Sequence, residues 1–202
     1  MKIYDISQEL FGCVVFPGDP APKREILNRM DEGSLYNLTA FSMCAHNGTH
    51  VDAPFHFVND GKTVEQLPLE STVGYAFVAD CNGILNAEDA EKVLQKARAI
   101  HPQAWKRILL KGKTTVSREA AEVFAKAELL LLGNESQTVG PEEAPAEIHR
   151  ILLGKGTVLL EGVRLSHVPE GVYLLSAAPL ALGGSDGAPC RAILMDTDII
   201  NE

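Results

Sequence analysis

The chain has 202 residues, 46% of them hydrophobic, and a formal net charge of −9. That length suits one compact domain with a sizeable core. The acidic balance leaves no surplus of lysine and arginine to neutralise phosphates or anionic headgroups, which argues against nucleic acid and a charged membrane surface as partners. Residues 1–5 turn polar at once and no run approaches ~20 apolar residues, so neither a signal peptide nor a membrane span is expected. Cys13, Cys44, Cys81 and Cys190 are widely spaced with no Cys-x-x-Cys pair. They read as free thiols in a reducing cytoplasm.

In chain order, residues 2–6 alternate enough for a short strand. Residues 11–16 are apolar and β-branched, and predict a strand that stops at a rigid Pro/Gly loop over 17–22. Phe16, at the mouth of that loop, is a core residue or a ring facing a substrate. Residues 36–44 read as a strand, and 57–62 leave the following segment through an Asp-Gly turn. Residues 73–81 predict an apolar strand. Asn86 reads as the N-cap of a helix to about residue 99, with acidic residues in its first turns. A strand over 105–110 follows, then a helix capped by Ser117 with Arg118, Glu119 and Glu122 outward and Ala121, Val123 and Phe124 inward. Residues 128–133 suit a buried strand. Residues 141–153 predict a helix with acidic residues in its first turn and a glycine after it. Strands are expected at 157–161, 172–175 and 191–195. Strands alternating with about three helices define a mixed α/β class, as a single domain over 1–202.

The stretch His46-Asn47-Gly48-Thr49-His50-Val51-Asp52-Ala53-Pro54-Phe55-His56 holds three of the chain's six histidines and a carboxylate. Imidazole and carboxylate bind zinc, manganese and similar ions. Gly48, Pro54 and the β-branched Thr49 and Val51 argue against a helix here. In an extended chain His46, His50, Asp52 and His56 share one side. Residues four apart are then separated by roughly 13 Å, whereas metal–nitrogen bonds are ~2.1 Å. If His46 and His50 share an ion, the chain must curl at Asn47-Gly48, which tolerates positive φ. One ion could be held by His46, His50 and Asp52 with water in the fourth position. Cys44 could approach it, or act as a small buried hydrophobe.

Of the other histidines, His101 and His167 sit in polar, turn-like connections and read as surface residues. His149 falls on the apolar side of the predicted 141–153 helix. Glu161 closes the apolar run 157–160, where an unpaired carboxylate is costly. It serves the site or pairs with Arg164 or Lys155.

The pattern His46-x-Gly48-Thr49-His50-x-Asp52-x-Pro54-x-His56-Phe57 resembles the signature of the cyclase-like metal-dependent hydrolases, a family that includes bacterial kynurenine formamidases (arylformamidases) and isatin hydrolases. Tyr4-Asp5-Ile6-Ser7 is similar to the family's opening strand, and Phe16-Pro17-Gly18-Asp19 to its aromatic-Pro-Gly-Asp loop. His149 with Glu161 resembles its second ligand pair. Pro179-Leu180 and the segment from Gly183 to Arg191 resemble its closing segment. The resemblance implies a swivelling β/β/α type of fold, assembled as a homodimer or homotetramer. It implies two divalent ions, zinc ahead of manganese. His46, His50 and Asp52 would bind the first, Asp52 and Glu161 would bridge, and His149 would complete the second. His56 would be the general acid/base, and Phe16 would contact a small-molecule substrate. The implied activity is hydrolysis of an amide-type bond, foremost of N-formylkynurenine to kynurenine and formate in tryptophan catabolism. Within the family, the alternatives are a cyclase or dehydratase and a lactam or lactone (isatin-like) hydrolase. From another class comes a non-catalytic, metal-stabilised ligand-binding domain. The chain departs from the family pattern at Asn134, where Asp is common, and at Lys111-Gly112-Lys113, where Arg-Thr-Gly is frequent. It is also short around 112–118, where many members carry pocket-lining residues.

Overall fold

The computed structural model describes residues 1–196. Its strands, in chain order, are β1 (Ile3–Asp5), β2 (Lys23–Asn28), β3 (Leu38–Ser42), β4 (His50–Asp52), β5 (Val73–Asp80), β6 (Gly83–Leu85) and β7 (Arg107–Lys111). They continue with β8 (Thr114–Val116), β9 (Leu131–Asn134), β10 (Val158–Glu161), β11 (Gly171–Ser176), β12 (Gly187–Pro189) and β13 (Ile193–Asp196). The helices are α1 (Leu69–Thr72), α2 (Ala87–Ile100), α3 (Arg118–Lys126) and α4 (Ala146–Leu153). Among the described residues one sheet has nine strands in the order β1-β13-β11-β5-β7-β9-β10-β4-β12. Its centre, β5-β7-β9-β10, is parallel; both flanks are antiparallel.

The central strands are apolar on both faces because both faces are covered. Phe77, Ile108, Leu110, Leu132 and Leu159 pack toward α2, α3 and α4. Their sequence neighbours Val78, Leu109, Leu131 and Leu160 pack on the other side with Tyr4, Val163 and Leu175. Side chains alternate along a strand, so this parity assigns each residue its layer. The helices follow local capping chemistry. Asn86 accepts from Asp89 N and Asp89 returns the bond, a capping box; Ser117 accepts from Ala120 N. Glu119 stays outside, while Ala121 and Phe124 are fully buried.

The mixed α/β expectation holds, with three corrections. Residues 11–16 are not a strand: Phe11 and Gly12 lie in a turn and 13–16 have no regular structure. The backbone N–H groups of Phe11 and Gly12 donate to Glu9, and that of Val14 donates to Gln8 Oε1, so side chains take the bonds a ladder would need. The 141–153 helix starts only at Ala146. Pro145 disfavours α geometry at Ala144 and is itself suited to a helix start. Strands β2, β6, β8 and β12 were not expected. Strands β2 and β3 form a separate, largely exposed hairpin.

Candidate metal centre

The functional cluster sits on the helix-facing side of the sheet, where β4 runs between β10 and β12. The antiparallel register sets Glu161 opposite His50 and Leu159 opposite Asp52. His50, Asp52 and Glu161 therefore point to one face, while Val51 and Leu160 point to the other. Helix α4 lowers His149 onto them. The turn before β4 makes the predicted curl. Gly48 has φ +67, Asn47 Oδ1 accepts from Cys44 N at 3.1 Å, and His46 returns to face Asp52. His56 ends a short 3-10 turn, Pro54–His56, started by Pro54 at the end of the β4 extension.

All five expected ligands converge. His46 Nδ1 lies 2.8 Å and His50 Nε2 3.3 Å from Asp52 Oδ1. His149 Nε2 lies 3.3 Å from Glu161 Oε1 and 3.7 Å from Asp52 Oδ2. Among the described residues three donor groups result: His46/His50/Asp52 and Asp52/His149/Glu161, which share Asp52, and His46/His56/Asp186. Backbone carbonyls fix the ring orientations. His50 Nδ1–H donates to Gly48 O at 3.0 Å and His149 Nδ1–H to Pro145 O at 2.8 Å, which turns each Nε2 toward the carboxylates. Glu161 Oε1 accepts from Val139 N at 2.8 Å. Glu161 makes no pair with Arg164, which donates instead to the carbonyls of Glu135 and Val163.

Electrostatics favours a cation here. Asp52 is 0% exposed, and its Oδ2 has no hydrogen-bond partner. A buried carboxylate with an orphaned oxygen is costly unless a cation meets it. In the metal-free protein protons play that part. Burial opposes charge on His46, but Asp52 and Asp186 overcome it and its pKa is pushed up to about 11. Burial also opposes charge on His149, but Glu161 and Asp52 raise its pKa to about 9. His50 is raised by Asp52 and Glu161 against complete burial. Burial would raise the Asp52 pKa, yet the histidines hold it well below the ordinary carboxylate range. His56 differs: burial pushes its pKa down, so it stays neutral more readily than a free imidazole. Nitrogen and oxygen donors in this number suit a divalent ion.

The cluster opens on a pocket of about 210 Å³ walled by Phe16, Phe57, Gln137 and Thr138. Phe16 is thus at the site, whereas Phe55 is exposed and outside the pocket. Cys44 Sγ donates to Asp19 at 3.6 Å and joins none of the donor groups. His167 is exposed, and His101 lies against Tyr75 away from the centre. A larger pocket of about 320 Å³ beside α2 contains none of the donor groups, so chemistry rather than size marks the site.

Two contributors escaped the sequence reading. Gln137 donates to Gly48 O and His46 O and pins the ligand turn. Asp186 Oδ2 lies 2.8 Å from His46 Nε2 and 3.1 Å from His56 Nδ1. The departure at Asn134 falls behind this wall. Its Nδ2 donates to Thr138 O at 2.8 Å and holds the turn that carries Gln137 and Thr138.

A mixed α/β fold with a buried histidine–carboxylate centre and an open pocket defines a metal-site protein of the hydrolase kind. Residues 4–141 match the family model described as "Putative cyclase", and the chain belongs to the cyclase family. It is similar to the kynurenine formamidase of Erythrobacter litoralis, 34% identical over 96% of this chain and 94% of the relative. The kynurenine formamidase of Salinibacter ruber is also 34% identical, over 97% and 98%. A solved structure of a potential metal-dependent hydrolase with cyclase activity superposes with TM-score 0.79 at 29% identity, covering 96% of each chain. Isatin hydrolase A from Labrenzia aggregata shares the fold with TM-score 0.80 at 24% identity, covering 98% of this chain and 94% of that one.

Proposed function

We propose that the protein is a metal-dependent hydrolase of an amide-type bond, and that its substrate is an N-formylated aryl amine, foremost N-formylkynurenine. The observation that carries this reading is the pair of donor groups sharing Asp52, with its unpartnered Oδ2, at the floor of an aromatic-walled pocket. Relatives named kynurenine formamidase across nearly the whole chain support the substrate. His46, His50 and Asp52 would hold one divalent ion and Asp52, His149 and Glu161 a second, zinc ahead of manganese. Such ions supply Lewis acidity, polarising a carbonyl and lowering the pKa of water from about 15.7 to about 7.

The chain's own groups do the rest. Phe16 and Phe57 offer ring faces to an aryl group. His56, outside the two groups that meet at Asp52 and with its charged form disfavoured by burial, takes a proton from water. It returns that proton to the leaving nitrogen as the C–N bond breaks, so amide plus water gives formate plus amine. Gln137 and Thr138 form part of the pocket wall. The expected self-association has support in the β2–β3 hairpin, which leaves Ile26, Leu35, Tyr36 and Phe41 in solvent. Among the described residues no helix is long and apolar enough to cross a membrane. The four cysteines are unpaired.

The test is turnover of N-formylkynurenine by zinc- or manganese-loaded protein, with product identified by mass. Kynurenine and formate support the reading. Turnover of isatin or another lactam alone keeps the hydrolase and replaces the substrate. A product formed by loss of water points to cyclase or dehydratase chemistry. No turnover of any amide, lactam or lactone, with His56→Ala changing nothing, overturns catalysis in favour of a metal-stabilised binding domain.

A further inference from the structure

One carboxylate oxygen links the two halves of the site. Asp186 Oδ2 stands 2.8 Å from His46 Nε2 and 3.1 Å from His56 Nδ1. It reaches both because the two rings stack, with centroids 4.0 Å apart and planes 27° from parallel. The backbone holds it there firmly. Strand β12 pairs with β4 so that Gly187 faces Asp52, and Asp186 O accepts from Ala53 N at 2.9 Å. Next to it, Ser185 O accepts from Val64 N, and Ser185 Oγ donates to Gly187 O at 2.7 Å. A Cβ at Gly187 would come within 2.8 Å of His46 Cε1 and 2.7 Å of Val51 O. The glycine thus lets the Asp186 segment pass directly beneath the His46 ring. Asp186 is registered against the same strand that carries His50 and Asp52.

A neutral imidazole has one N–H and one lone pair. Where one nitrogen faces a carboxylate oxygen and the other gives its lone pair to an ion or a proton, the hydrogen stays on the carboxylate side. His46 meets a carboxylate at both nitrogens, Asp52 Oδ1 at Nδ1 and Asp186 Oδ2 at Nε2, each at 2.8 Å, so an ion held with Asp52 takes the Nδ1 lone pair and leaves the hydrogen on Nε2. We propose that Asp186 is a positioning residue for both histidines. It accepts Nε2–H of His46, leaving Nδ1, on the Asp52 side, as the ligand atom. It accepts Nδ1–H of His56, leaving Nε2 as the atom that takes and returns the proton. The first link is the carboxylate–histidine arrangement that orients metal ligands. The second is the orienting group that stands behind a base histidine. One residue therefore couples ion binding to proton transfer. The inference rests on the roles of His46 and His56 in the proposed function, but not on the identity of the substrate.

The experiment compares wild type, Asp186→Asn and Asp186→Ala as full-length proteins, checked for folding by circular dichroism. Histidine side-chain ¹⁵N spectra report tautomers, titration with zinc reports affinity, and kinetics report kcat and KM. In wild type the His56 ring is expected in the Nδ1–H form, and the zinc-loaded His46 in the Nε2–H form. Asp186→Ala is expected to mix the His56 tautomers, weaken zinc about 10- to 100-fold, and lower kcat with little change in KM. Asp186→Asn keeps an acceptor oxygen and should restore part of each. A His56 ring that stays wholly Nδ1–H in Asp186→Ala, with zinc affinity unchanged, overturns the proposal. So does loss of one whole ion per chain with tautomers intact, which would make Asp186 a ligand of the His46/His56/Asp186 group instead. If wild type binds neither zinc nor manganese, the proposed function falls, while the His56 spectra still decide whether Asp186 sets its tautomer.

Discussion

At the β4–β10–α4 corner, Asp52, Glu161, His50 and His149 are polar groups sealed inside the protein. In the β2–β3 hairpin, Ile26, Leu35, Tyr36 and Phe41 are apolar groups left outside, Leu35 at 92% exposure. Each region reverses the usual rule of burial. The buried polar corner needs cations, because neighbouring carboxylates in low dielectric repel one another and lose their water. The exposed hairpin is the kind of apolar surface on which the proposed self-association would rest. The core between them, from Phe77 to Leu160, follows the ordinary rule and calls for nothing further.

The largest way to break this comparison is to empty the corner. Asp52→Ala removes the residue that two of the donor groups share and should lower bound metal and activity together to background, as read by elemental analysis and turnover. Retained metal at wild-type level would mean the groups are not joined through Asp52. Next is His56→Ala, which should cost about 10² to 10⁴ in kcat while leaving metal content intact. Loss of metal in that variant would make His56 a ligand.

A third test uses pH. His46 and His149 have pKa values of about 11 and about 9 in the metal-free protein, against about 6.5 in an unfolded chain. The native state then binds more protons than the unfolded one, so this part of its stability is complete below about pH 6.5 and is lost as pH rises toward 9 and beyond. Ion binding requires those protons to leave. The Tm of metal-free protein should fall from pH 6.5 to 9, and the gap to the zinc-loaded protein should widen. A constant gap would separate the histidines from the ions. Fourth, Leu35→Asp with Phe41→Asp should reduce the mass seen by light scattering to that of one chain, with metal content unchanged. Smallest is Phe16→Ala, where loss of a ring face of about 0.5–1.5 kcal/mol should raise KM by roughly 2- to 10-fold.

The sequence exposed the site unevenly, for reasons of distance along the chain. His46, His50, Asp52 and His56 fall within eleven residues, so their spacing alone announced an ion and a curl at Gly48. His149 and Glu161 stood out as a ring on an apolar helix face and a carboxylate at the end of an apolar strand, both odd in isolation. Asp186 was part of the segment resembling the family's closing segment, but its role was not legible: it arrives 130 residues after His56, just before a strand of Gly-Ala-Pro with no strand pattern of its own. Gln137 looked like any loop glutamine. In the fold, the two-face burial of β5, β7, β9 and β10 made long apolar runs that were legible. Residues 11–16 carried a similar run, but Glu9 and Gln8 took their backbone bonds, a competition that composition does not display. Strand β2 has exposed residues on both faces and so lacks the alternation that marks a half-buried strand.

The measurement that bears most directly on the account is the metal content of the purified protein after reconstitution with zinc or manganese and removal of excess ion. The account predicts close to two ions per chain, one for each donor group that meets at Asp52. A protein that retains no ion under those conditions would contradict it.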